Sequence, residues 1–307
     1  MPADAPPSAP AIRPQRRASP AADLPSATGG TRAFGRVFSL ARDAVASALL
    51  RTGLTPNAIS VIGFVATLAA AYCLLHGASQ QVPYFYAGRG PVGWWPLWAG
   101  LFLIVAGACD LLDGAVARLG NLRTGFGAIL DSTLDRFSDM AIFLGCLLHF
   151  GLVDNLTSQV LAATALCNAA LISYVKARAE GIVEDCSVGW WLRGERCAFL
   201  LFGCLSGHVV AALWQLAILP HFTVWRRVMY SYAAVRALER GLPLPPRGPW
   251  PGRLGRLQLW RYPRGSLAYD IVSGVNFLFV VGLPWLWPAL LGVGAGVDRL
   301  RAWLAGP

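Results

Sequence analysis

The stretch DLLDGAVARLGNLRTGFGAILDSTLD, residues 110–135, decides the reading of this chain. Asp110, Asp113, Asp131 and Asp135 stand at the ends of two apolar runs, with Gly114, Ala117, Arg118 and Gly127 at fixed offsets between them. Carboxylates beside a lipid-soluble stretch are costly and are expected only where they bind something. The spacing within each pair, 110/113 and 131/135, puts both acids on one helix face. The glycine-containing turn 119–126 is expected to make the two helices antiparallel and to set the pairs opposite each other. Four carboxylates that close repel strongly unless cations lie between them. Oxygen donors without His or Cys favour a hard ion, Mg2+ or Mn2+, and four acids suit two such ions.

Working outward, 55% of the 307 residues are hydrophobic and only 14% are charged. A soluble domain of this size carries about a quarter charged residues. Several runs approach the ~20 apolar residues that cross a bilayer. The expected fold is an all-α integral membrane protein, a six-transmembrane-helix bundle. Residues 1–33 are rich in Pro, Ala, Ser and Arg, lack the apolar core of a signal peptide, and read as a disordered basic tail. Residues 34–51 place Phe, Leu and Val on one face, as in a helix lying in the membrane interface. Spans are expected at about 57–76, 93–118, 127–150, 157–178, 190–207 and 209–235. The membrane domain is thus expected over 34–236, followed by a 237–307 extension. That extension holds an Arg/Pro-rich loop and an apolar run broken by Pro284 and Pro288, which suits a further span, a re-entrant hairpin or an interfacial segment.

The net charge is +10, and Lys176 is the only basic residue besides histidine that is not arginine. The arginines cluster in the tail, the 119–126 turn, 176–196 and 237–266, which by the positive-inside rule makes the N-terminus cytosolic. Both halves of the acidic motif, and Lys176, Arg178, Arg193, Arg196, Arg226 and Arg227, then share the cytosolic face of the cell (inner) membrane. Basic residues beside spans, not on a soluble module, argue against a nucleic-acid partner. The seven cysteines form no CxxC pair, so disulfides and zinc are not expected.

A carboxylate–metal cluster next to Gly114 and Arg118 suggests a phosphate ligand. Glycine admits a nucleotide close to the backbone, and arginine offers a charge-assisted fork. A membrane cation carrier is the non-enzyme alternative, but it needs acids near mid-bilayer, whereas these sit at span ends beside Arg118 and Arg123.

The pattern D-x2-D-G-x2-A-R-x8-G-x3-D-x3-D resembles the signature of the CDP-alcohol phosphatidyltransferases, and all eight fixed positions match. The resemblance covers about 33–236. It implies transfer of a phosphatidyl group from a CDP-linked lipid to an alcohol, with release of CMP. It also implies that Asp110, Asp113, Asp131 and Asp135 are metal ligands, with Asp135 the general base as well. Asp113, Gly114, Ala117 and Arg118 would line the CDP pocket, with Asn57 touching the cytosine. Homodimers are usual among enzymes it resembles.

The segments RTGLTPN, TGFGAILDSTLDR, SYVKARAE, RGER and TVWRR are similar to those of bacterial phosphatidylinositol phosphate synthases. That likeness implies CDP-diacylglycerol and inositol phosphate as substrates. It points to Lys176, Arg196 and Arg227, with Ser173 and Arg178 close by, as the acceptor-phosphate site. Glycerol 3-phosphate is the rival acceptor. Three features depart from the likeness: the stretch between RGER and TVWRR is shorter than expected of that group, Trp190, Trp191 and Trp225 stand where smaller or polar residues are expected, and the C-terminal extension is unfamiliar in it. Asp139 continues the 131, 135 spacing, either as a partner of an arginine or for packing.

Overall fold

The computed structural model describes residues 29–86, 90–183, 185–247 and 266–286. Regular structure among them is helical, apart from a 3-10 turn at Pro83–Phe85 and an isolated bridge between Gln81 and Val92. The helices are α1 (Gly29–Arg51), α2 (Pro56–Gly77), α3 (Trp95–Leu119), α4 (Gly125–Leu152), α5 (Leu156–Glu180), α6 (Arg193–Ser206), α7 (Val209–Ile218), α8 (Pro220–Glu239) and α9 (Leu267–Leu286). The expected tail mostly falls outside the described residues, as do 248–265 and 287–307 of the extension.

Local sequence explains the boundaries. Thr55 caps α2 by accepting from the Ala58 amide, and Pro56 fills the first helical position, where a missing N–H costs nothing. α3 ends in a left-handed turn at Asn121 (φ 51°), closed by Leu122 N–H donating to the Ala117 carbonyl. Thr124 then caps α4 by accepting from the Gly127 amide at 2.9 Å. The turn is as tight as the sequence suggests. Even so, α3 and α4 make their main contacts with α2 and not with each other. The two acid-bearing helices are therefore held apart by a third.

α2 can serve both neighbours because most of its buried positions are small, Gly63, Ala66, Thr67, Ala70, Ala71 and Gly77 among them, with Ile59 and Leu74 the large exceptions. Its large side chains, Val61, Ile62, Val65, Leu68 and Tyr72, point outward. This reverses the soluble pattern, as expected where lipid solvates Leu and Val and close backbone approach supplies the packing. A Cβ on Gly145 of α4 would lie 2.5 Å from the Ala71 carbonyl oxygen of α2.

Among the described residues, three helices, α2, α3 and α5, are long and apolar enough to cross a membrane. α4 has the length, about 42 Å at 1.5 Å per residue. Its first half, however, carries Asp131, Asp135, Arg136 and Asp139. The last expected span is divided: Pro220 separates α7 from α8, although Leu219 between them keeps helical dihedrals (φ −68°, ψ −34°). Proline leaves the carbonyl four residues back without a donor. The fully buried Asn168 of α5 supplies one, bonding the Leu216 carbonyl at 3.3 Å and that of Ala217 at 2.8 Å. α9 packs on α6 and α7, with Phe277 stacked on Phe199 at 4.3 Å.

Gly145→Ala should lower stability by about 1–3 kcal/mol, the cost of overpacking against backbone that has no rotamer to yield. Thermal unfolding in detergent reads it, and an unchanged midpoint would show that α2 and α4 separate freely.

Candidate active site

The four motif acids line one small cavity of about 20 Å³, the size of a single water, between α2, α3, α4 and the start of α6. α3 contributes Asp110 and Asp113, α4 contributes Asp131 and Asp135, α2 contributes Ser60, and α6 contributes Arg193. Carboxylate oxygens of Asp110, Asp131 and Asp135 lie within 4.8 Å of one another. Asp113 is buried and takes a 2.6 Å hydrogen bond from the Ser60 hydroxyl, which fixes its carboxylate at the cavity wall.

Arg193 supplies the counter-charge. Its Nη1 lies 2.9 Å from oxygens of both Asp110 and Asp135, bridging the α3 and α4 acids. One guanidinium cannot neutralise four carboxylates, so the cluster keeps an excess of negative charge. The donor set is all carboxylate oxygen, which fits a hard divalent cation.

The residues expected to line the nucleotide pocket stand on or beside the two motif helices. The Arg118 guanidinium folds back over Gly114, with Nη1 3.4 Å from where a Cβ would stand. A Cβ on Gly127 would meet Asn57 Oδ1 at 3.1 Å, so Asn57 sits at the start of α4, beside the motif. Ala117 is half-buried one turn along α3 from Asp113.

The basic residues divide into two groups. Lys176 and Arg178, at the end of α5, are partly or fully exposed, and Lys176 Nζ lies 3.7 Å from Glu180. Ser173, one turn earlier, is half-buried. Arg196 and Arg227 are almost wholly buried, at 3% and 2% exposure. Arg196 donates to Asp139 at 2.7 Å and to the Trp191 carbonyl at 3.1 Å. Arg227 donates to the Val188 carbonyl at 3.0 Å and to that of Ile172. Of the two readings of Asp139, partner of an arginine is the one the geometry shows.

Sequence reasoning missed Ser60 and Arg193 as site residues. Arg193 had a signal, since it precedes Arg196 by one helical turn at the head of α6 and shares its face. Ser60 had none beyond its place in the first turn after the Thr-Pro-Asn cap.

A family model described as CDP-alcohol phosphatidyltransferase matches residues 53–230. The chain belongs to this family. It is therefore an enzyme, a membrane phosphotransferase of phospholipid synthesis. An archaetidylinositol phosphate synthase of Methanothermobacter thermautotrophicus is 38% identical over 140 residues, 44% of this chain and 69% of that protein. A phosphatidylinositol phosphate synthase of Mycobacteroides abscessus is 34% identical over 211 residues, 66% of this chain and 88% of that one. Among solved structures, the phosphatidylinositol phosphate synthase of Mycobacterium tuberculosis with CDP-DAG bound aligns at a TM-score of 0.52 and 29% identity. That alignment covers 62% of this chain and 93% of that one. The same enzyme in complex with manganese and citrate aligns at a TM-score of 0.50 and 28% identity. A manganese-bound phosphatidyltransferase of this fold and the carboxylate cluster here agree on divalent metal binding.

Arg193→Gln should destabilise the protein in chelator by about 1–2 kcal/mol, a modest figure because the ion pairs are partly solvent-exposed. Millimolar Mn2+ should recover most of that loss by replacing the missing charge. Equal loss with and without the ion, read by thermal unfolding, would remove Arg193 as the counter-charge.

Proposed function

We propose that this phosphatidyltransferase moves the phosphatidyl group of CDP-diacylglycerol to inositol phosphate and releases CMP, at the cytosolic face of the cell membrane. The observation that carries the reading is the single cavity lined by all four motif acids, with Arg118 and Gly114 on α3 beside it. The similarity to inositol phosphate synthases supports the choice of acceptor.

Asp110, Asp113, Asp131 and Asp135 would hold the divalent ions, Mg2+ or Mn2+ and two in number. Bound there, the metal supplies Lewis-acid polarisation of the phosphoryl group and charge neutralisation of the departing CMP. The protein's own groups do the rest. Gly114 leaves room for the nucleotide phosphates to approach the α3 backbone, and Arg118 pairs with them. Ser60 holds Asp113 in one orientation. Asp135 accepts the proton of the attacking inositol hydroxyl as that oxygen bonds to the lipid-side phosphorus. The bond from that phosphorus to the CMP oxygen breaks as the new one forms, and the bonding pair leaves with CMP. Arg193, bonded to Asp135, keeps the base facing the cavity. Lys176 and Arg178 draw the acceptor phosphate to the mouth of the site, with Ser173, Arg196 and Arg227 behind them. Cations are needed there because a phosphomonoester is close to dianionic at neutral pH.

Purified protein given labelled CDP-diacylglycerol and, separately, inositol phosphate, glycerol 3-phosphate, inositol or serine should yield lipid product and CMP with inositol phosphate. Product with glycerol 3-phosphate alone would overturn the acceptor, and CMP release with none of the four would overturn the reaction. Asp135→Asn should cut kcat by about 10²–10⁴ while CDP-lipid binding persists. Near-normal turnover in that variant would remove Asp135 as base. Lys176→Ala should raise the acceptor KM about tenfold and leave the CDP-lipid KM unchanged, in line with the loss of one charge-assisted hydrogen bond.

A further inference from the structure

The extension beyond the family match touches the same part of the molecule at two separate points. At the first, Arg247 Nη1 lies 2.8 Å from Asp185 in the α5–α6 loop, and the Arg247 carbonyl accepts from Arg226 at 3.0 Å. That loop carries the Val188 carbonyl that holds Arg227 and the Cys186 amide that donates to Glu180, the partner of Lys176. Burial pushes the Asp185 pKa upward, but the side-chain and backbone donors of Ser187 and the Arg247 charge outweigh it and hold the group below the ordinary carboxylate range. The carboxylate therefore stays ionised against Arg247.

At the second point, the Tyr269 hydroxyl of α9 donates to Glu195 at 3.2 Å. Glu195 lies between Arg193, which grips the acid cluster, and Arg196. The Tyr269 ring also packs 5.7 Å from that of Trp190, which stands edge-on to Trp191, and the Trp191 carbonyl anchors Arg196. Two of the departures noted in the sequence, the Trp190–Trp191 pair and the extension, are thus one feature, whereas Trp225 lies exposed on α8. Tryptophans in the α5–α6 loop and an additional C-terminal helix pack against each other.

We propose that the described parts of the extension, 240–247 and α9, brace the basic wall of the active site, with Arg247 and Tyr269 as positioning residues for Arg193, Arg196, Arg227 and Lys176. Neither touches the acid cluster. Arg247 acts by fixing the loop whose backbone holds Arg227 directly and Lys176 through Glu180. Tyr269 acts by fixing the first turn of α6, from which the other two project. The inference rests on the assignment of these cations to the acceptor side.

The test uses the full chain with Tyr269→Phe, Arg247→Ala and Arg247→Lys. Hydrogen exchange of the 185–196 amides in the free enzyme reads the brace without substrate. Tyr269→Phe and Arg247→Ala should each speed it about tenfold, the low end of the worth of one hydrogen bond to a charged group. The same two variants should raise the KM for whichever acceptor the wild type uses by a similar factor. The CDP-lipid KM should stay within about twofold, and Arg247→Lys should recover most of the loss. Unchanged exchange would overturn the proposal. So would faster exchange with an unchanged acceptor KM, or a general fall in Tm and kcat with both KM values intact. Wild type using a different alcohol would overturn the acceptor assignment and leave the exchange and KM comparisons to judge the brace.

Discussion

Four carboxylates facing a cavity the size of one water are the constraint on which the rest of the molecule depends. Like charges at such separations, next to lipid, cost far more than any single packing contact returns. The fold holds them there by distributing the anchors. Asp113 is tied to α2 through Ser60, and Asp110 and Asp135 are tied to α6 through Arg193. No two acid-bearing helices need pack together. α2 stands between α3 and α4 and sets the width of the gap, and its row of glycine and alanine permits that close approach on both sides. The residual negative charge is what draws a divalent cation. The same charge that strains the fold prepares the site.

Much of this was legible in the sequence. The acid motif, the helix bounds to within a few residues and the metal-type donor set follow from spacing and residue chemistry alone. The cap Thr-Pro-Asn placed the start of α2 because its signals are local. The arrangement of α2 between the motif helices was not legible. A tight turn predicts neighbours in sequence, whereas the glycines and alanines that let α2 intervene are spread along a run that reads simply as apolar. Arg193 was missed for a related reason. Its partners are distant in sequence, and an arginine beside a span looks the same whether it anchors the protein in the membrane or bridges two aspartates. The break at Pro220 shows the other side of the difficulty. Proline announces the lost donor, but only the folded chain shows Asn168, one helix away, replacing it.

The basic residues look equivalent in sequence and are not so in the structure. Lys176 has Glu180 close by and Arg196 has Asp139, so each positive charge is offset by a carboxylate. Arg227 is as deeply buried as Arg196, yet its partners are the neutral carbonyls of Val188 and Ile172, with no carboxylate at ion-pair distance among the described residues. Carbonyl dipoles satisfy its donors without cancelling its charge. A buried cation left in that condition is costly, and an anion arriving beside it relieves the cost. On the proposed acceptor assignment, Arg227 would draw a phosphate most strongly from within. Lys176 and Arg178, nearer the solvent, would act on it earlier and through weaker, screened fields. On this argument the proposed acceptor site captures its anion in two stages, first at the exposed end of α5 and then at a guanidinium whose neutral partners fix its place and leave its charge uncancelled.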